Sequence, residues 1–145
     1  MNQSTPLAPG RVLEAALYAR DLLAAEQFYH DVIGLRVIAR QPGRNVFFSC
    51  GRTVVLVFNP EETTGETVTV GGSSIPKHGA QGAGHVAFAV DPSTLIAWRE
   101  RLRQAGVAIE TEIAWPQGGH SIYCRDPAGN SVELATPAIW PQLES

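Results

Sequence analysis

Three side chains far apart in the chain share metal-binding chemistry: Glu14, His85 and Glu133. An imidazole with two carboxylates suits a divalent ion such as Mn, Fe, Ni, Zn or Co better than it suits a thiolate-seeking ion. Strand alternation sets each of them on a surface otherwise lined by small residues. In HVAFAV, Val86, Phe88 and Val90 make one apolar face and leave His85, Ala87 and Ala89 on the other. In LEAALYA, Leu13, Ala15, Leu17 and Ala19 make the apolar face, so Glu14 shares the opposite one with Ala16 and Tyr18. Centring the last turn on Ala128 sets Tyr123 across from Glu133, with Ser121 and Ala135 flanking. A plainer role is open to each of the three, as a hydrogen-bonded polar group on a strand.

The elements that must position these residues come in two similar sets. After the extended run Arg11–Arg20, Asp21 is a candidate N-cap for a helix carrying Leu22, Ala25, Phe28, Tyr29 and Val32 at helical spacing, ended by Gly34. Three β-rich runs follow, at 35–40, 45–50 and 53–59, separated by turn compositions. A strand at 85–90, a helix capped by Asp91-Pro92 and running to Gln104, and strands at 107–113, 121–125 and 131–135 repeat that order. The pattern predicts an α+β chain of two tandem β-α-β-β-β modules, at 11–59 and 85–137. Gly, Ser, Thr and Glu dominate the intervening 60–84 segment, which reads as a linker or lid. One such module has little core of its own, so two must pair, within or between chains.

Composition narrows the function. The chain has 145 residues, 44% of them hydrophobic, and 11 Lys plus Arg against 14 Asp plus Glu, a net charge of -3. With no basic face, nucleic acid is excluded as the expected partner, and no apolar run is long enough to span a bilayer. The N-terminus lacks the basic start and apolar centre of a signal peptide, and Cys50 and Cys124 form no metal or disulfide motif, which predicts a cytoplasmic protein with packed thiols. His120, after Gly118-Gly119, and Trp115 are candidate pocket residues beside Tyr18. His30 and His78 read as surface residues.

DLLAAEQFYHDVIGLRV at 21–37, GHVAFAV at 84–90 and SIYCRDPAGNSVELATP at 121–137 resemble the vicinal oxygen chelate superfamily, which includes glyoxalase I, bleomycin resistance proteins and extradiol dioxygenases. The resemblance implies that paired modules curve into a cup with helices outside. It implies metal ligands at Glu14, His85 and Glu133, a small substrate with vicinal oxygens, and a homodimer. It sets the fourth family ligand position on Val55, with Leu56 its neighbour, neither able to bind a metal. Tyr123 is similar to the tyrosine that donates to bound oxygen in the dioxygenases, and with Glu133 it makes the candidate catalytic pair. The implied activity is metal-dependent lyase, isomerase or dioxygenase chemistry. A metal-free sequestering protein of the bleomycin-resistance type is the alternative.

Overall fold

The computed structural model describes residues 6–65 and 67–143. Strand β1 (Glu14–Tyr18) leads into helix α1 (Leu22–Gln27), where the Asp21 carboxylate accepts from the Ala24 amide at 3.0 Å. This cap satisfies one of the orphan N–H groups of the first turn. The helix widens into a π turn over Phe28–Val32 instead of continuing as α-helix, and Gly34, at φ +92°, lets the chain reverse. Strands β2 (Arg36–Gln41), β3 (Asn45–Cys50) and β4 (Thr53–Phe58) complete a sheet of order β1-β4-β3-β2, with β1 parallel to β4.

Helix α2 (Pro60–Thr64) and a short hairpin of β5 (Thr69–Val70) and β6 (Ser73–Ser74) fall in the connecting segment. The second set is then built like the first: β7 (His85–Ala89), a 3-10 turn at Pro92–Thr94, α3 (Leu95–Gln104), β8 (Thr111–Ala114), β9 (His120–Arg125) and β10 (Ser131–Ala135). Its sheet order, β7-β10-β9-β8, with β7 parallel to β10, repeats the topology of the first. The strand expected from Val107 is shorter, because the Val107 amide still closes the helix end on the Leu102 carbonyl and ladder pairing starts only where the Glu110 amide meets Tyr123 O. Among the described residues no helix is long and apolar enough to cross a membrane.

The helix-facing sides of both sheets enter one hydrophobic core, in which Leu17, Phe48 and Val55 of the first module meet Phe88, Ile122 and Leu134 of the second. Tyr29 stands at the junction, fully buried, with ring centroids 5.7 Å from Phe48 and 6.4 Å from Phe88. Its hydroxyl donates to Asp126 Oδ2 at 2.7 Å. Buried Asp126 also accepts from the Ala128 and Asn130 amides and from Asn130 Nδ2. Asn130 in turn donates to the Tyr18 carbonyl and accepts from the Gly84 amide. The Asp-Pro-Ala-Gly-Asn turn of the second module is thus wired into the first helix and strand of the first.

A buried carboxylate that loses a donor bears a desolvation cost that water cannot offset. Tyr29→Phe should therefore lower the unfolding free energy by about 1.5–3 kcal/mol, the range for a hydrogen bond to a charged group. Urea denaturation checks this, and a loss within about 0.5 kcal/mol would show that this hydrogen bond adds little to holding the modules together.

Candidate functional site

On β10, alternation sends Val132 and Leu134 into the core and Ser131, Glu133 and Ala135 to the open face, the one turned from the helices. The ladder pairs Glu133 with Tyr123 on β9 and with Ala87 on β7, and pairs Ser131 with His85. Glu133 is buried, with a side chain 7% exposed, whereas that of His85 is 51% exposed. One oxygen of the Glu133 carboxylate, Oε2, is nonetheless satisfied. Ser121 Oγ donates to Oε2 at 2.5 Å, and Trp115 Nε1 donates to Ser121 Oγ at 2.9 Å. Oε1 lies 3.2 Å from His85 Nε2.

His85 Nδ1 sits 3.1 Å from the Ser131 carbonyl and 3.2 Å from its hydroxyl. A carbonyl only accepts, so the tautomer that satisfies it carries its hydrogen on Nδ1 and leaves a lone pair on Nε2. That lone pair and Glu133 Oε1 then confront each other as two acceptors. A contact of that kind is one that a metal ion between the two atoms can satisfy. Tyr123 stacks beside His85 at 6.4 Å between ring centroids and 23° between planes. Burial, and then the negative charge of Glu133, hold the Tyr123 phenol above its ordinary pKa. At neutral pH it is a hydrogen-bond donor.

Glu14 is not among these groups. It is exposed on the open face of the first module, at the position equivalent to His85, since β1 begins its pairing with Glu14 beside Val54 and β7 with His85 beside Ser131. The modules pack through their helix sides, so their open faces lie apart within one chain. Among the described residues no group of three His, Cys, Asp or Glu side chains is close enough to hold a metal.

The same register corrects the fourth position. Glu133 pairs with Ala87, and the matching residue of the first module, paired with Ala16, is Leu56. Val55 points into the core, as does its counterpart Val132, and lines no open face. Phe47, paired with Leu56, takes the place that Tyr123 holds in the second module. His120 is also displaced from the expected pocket: it shares the helix side of β9 with Ile122 and Cys124, and its Nε2 lies 2.8 Å from Glu112 Oε1, close to Arg99. Trp115 reaches the site through Ser121, whereas Tyr18 stays on the first module.

His78, expected at the surface, is packed instead. Its Nδ1 lies 2.7 Å from the Tyr18 hydroxyl and its ring 4.7 Å from Phe58, while its amide donates to the Thr63 carbonyl. Ser121 and Ser131 are site residues that residue chemistry alone does not flag, although strand parity places both on the face of Glu133. Both cysteines are free, and burial, with the charges of Asp126 and Glu110, pushes the Cys124 thiol up to about 11. It is an inert packed group.

Residues 11–134 match the family model of the Glyoxalase/Bleomycin resistance protein/Dioxygenase superfamily. Among solved structures, a lactoylglutathione lyase from Agrobacterium tumefaciens is 42% identical, covering 94% of this chain and 98% of that one, with a TM-score of 0.85. TioX from Micromonospora sp. ML1 is 25% identical over 88% of this chain and 98% of its own, with a TM-score of 0.66. A glyoxalase/bleomycin resistance protein/dioxygenase from Nocardioides, 22% identical over 90% of this chain and 85% of that one at a TM-score of 0.66, shares the fold. No curated protein matches the sequence.

Removing the charge of Glu133 should ease ionisation of Tyr123, since that charge is one of the causes holding the proton on. In Glu133→Gln the Tyr123 titration, followed by ultraviolet difference against Tyr123→Phe, should move toward lower pH while staying above that of a free tyrosine because burial remains. An unmoved or rising midpoint would separate the two groups electrostatically.

Proposed function

The chain belongs to the Glyoxalase/Bleomycin resistance protein/Dioxygenase superfamily, and on that footing we propose a divalent-metal-dependent, glyoxalase-like enzyme acting on a small substrate with vicinal oxygens. The observation that carries the proposal is the convergence of His85 Nε2 and Glu133 Oε1 at 3.2 Å, with His85 Nδ1 committed to Ser131. A histidine that gives its other nitrogen to a backbone carbonyl, beside a carboxylate, is a donor pair suited to Mn, Fe, Ni, Zn or Co. The likeness to a lactoylglutathione lyase favours the lyase and isomerase branch over ring cleavage.

Two donors from one chain are too few, and the third, Glu14, lies on the other module. We assign its completion to a homodimer in which Glu14 of one copy meets His85 and Glu133 of the other. Edge strands support this: β1 and β7 each end their sheets, and Val12 and Leu13, 66% and 61% exposed, extend the β1 edge. With Leu56 in the fourth position, three protein ligands leave room for water or substrate oxygens. A metal bound there supplies Lewis-acid stabilisation of negative charge on adjacent oxygens. The residues of the chain do the rest. Tyr123, protonated, donates a hydrogen bond to a substrate oxygen, Glu133 Oε1 accepts a proton when it is free to do so, and Trp115 walls the site. The free thiols fit a cytoplasmic setting.

Leu56 also suits a metal-free sequestering protein, and metal analysis separates the two readings. Protein purified without chelator should carry about one divalent metal per chain, and Glu14→Ala, His85→Ala and Glu133→Ala should each lose it. Mixing Glu14→Ala chains with His85→Ala chains should restore part of the metal, because one of the two sites in such a mixed dimer is intact. Wild-type protein that stays metal-free after reconstitution would leave the sequestering reading, and mixing without recovery would overturn the assignment of Glu14 to the site of the other copy.

A further inference from the structure

The Glu133 carboxylate is steered by neighbours that themselves bind nothing. Its Oε2 accepts from Ser121 Oγ at 2.5 Å, and Ser121 Oγ accepts from Trp115 Nε1 at 2.9 Å. The direction of this relay is forced. An indole N–H can only donate, a serine hydroxyl has one hydrogen, and a carboxylate only accepts, so the Ser121 hydrogen must point at Glu133. Ser121 is fully buried, which leaves no water to compete for that hydrogen.

Trp115 is itself fixed by the β8–β9 turn. Its amide donates to the Gly119 carbonyl and its carbonyl accepts from the Gly118 amide, both at 3.0 Å. Gly119 is at φ +86°, and a Cβ there would lie 2.6 Å from the Ile139 amide nitrogen. Only glycine fits, so the turn is seated against the segment that follows β10. The first module has no equivalent relay. Asn45, which matches Ser121 in register, uses its Oδ1 to accept from the Gln41 amide, and Leu56 needs no donor.

We propose that Ser121 and Trp115 are positioning residues which hold Glu133 Oε2 and thereby aim Oε1 at the cation position beside His85. This rests on the metal reading given above. A free carboxylate rotates about its last bond and can present either oxygen, or both. With Oε2 held, Oε1 is the oxygen offered, and the ordering cost is met on folding instead of on metal binding. The relay also connects the site to an indole, so the electronic state of Glu133 reaches a fluorescent group.

Titration of the full-length protein with Co²⁺ against a chromophoric chelator tests this, alongside Trp emission and a thermal melt. Ser121→Ala should remain folded and raise the Co²⁺ dissociation constant about 10- to 100-fold, the usual effect of losing a partner that orients a ligand. Trp115→Phe keeps an aromatic ring but removes the donor, and should raise the constant by a smaller factor. Subtracting the Trp115→Phe spectrum isolates the emission of Trp115. With Zn²⁺, which unlike Co²⁺ is closed-shell and does not itself quench, that emission should change in wild type and change less in Ser121→Ala, each measured against the same protein carrying Trp115→Phe. A folded Ser121→Ala that binds Co²⁺ within about twofold of wild type would overturn the positioning role and leave the metal reading intact. If Ser121→Ala does not fold, an unchanged constant in Trp115→Phe would overturn the role in its place. Wild type that binds no Co²⁺ would overturn the metal reading, and this inference with it.

Discussion

The hydrogen bond from Tyr29 to Asp126 joins the halves of the molecule. Tyr29 is fully buried where the two modules meet, and Asp126 is a buried carboxylate in the last hairpin, so neither can turn to solvent without leaving the other unsatisfied. Around them, Asn130 reaches the backbone of both modules. Apolar burial alone is non-directional and would tolerate a range of module orientations. The polar cluster selects one, with the helix sides together and the open faces apart.

That orientation decides what one chain can do. Sheets that share a core through their helix sides cannot close their open faces on one another. The first module then offers a carboxylate, Glu14, on a face carrying Leu56, Phe47 and Phe58, and the second offers His85, Glu133 and Tyr123. Repetition of the fold has left the two faces chemically unequal: one is mostly apolar with a single acid, the other holds a connected polar group. In the homodimer proposed above, each face lends what the other lacks.

Within the second module, burial does the chemical work. Glu133 is set among Ser121, Trp115 and Tyr123, with the half-exposed His85 ring on the side of its Oε1. Low local dielectric strengthens every charge interaction there. The raised Tyr123 pKa is one outcome. The converging lone pairs of His85 and Glu133 are left by bonds made elsewhere, since His85 gives its Nδ1 hydrogen to the Ser131 carbonyl and Glu133 Oε2 accepts from Ser121.

The duplicated β-α-β-β-β order, the faces of β1 and β7, and the pairing of Tyr123 with Glu133 follow from the sequence by itself, because strand alternation and the Asp-Pro-Ala-Gly-Asn turn are local and leave one sensible register. The same local rules cannot choose between Val55 and Leu56, since a slip of one residue reverses every side chain, and only the ladder with β1 sets which of them shares a face with Glu14. Nor do they reveal that His120 turns toward Arg99 and Glu112, that His78 packs on Phe58, or that Trp115 reaches Glu133 through Ser121. Those contacts join residues whose neighbours are chosen by how whole elements pack. The separation of Glu14 from His85 and Glu133 is of the same kind: residue types pointed to one cluster, and the tertiary arrangement of the two modules, packed through their helix sides, set Glu14 on a different face from the other two.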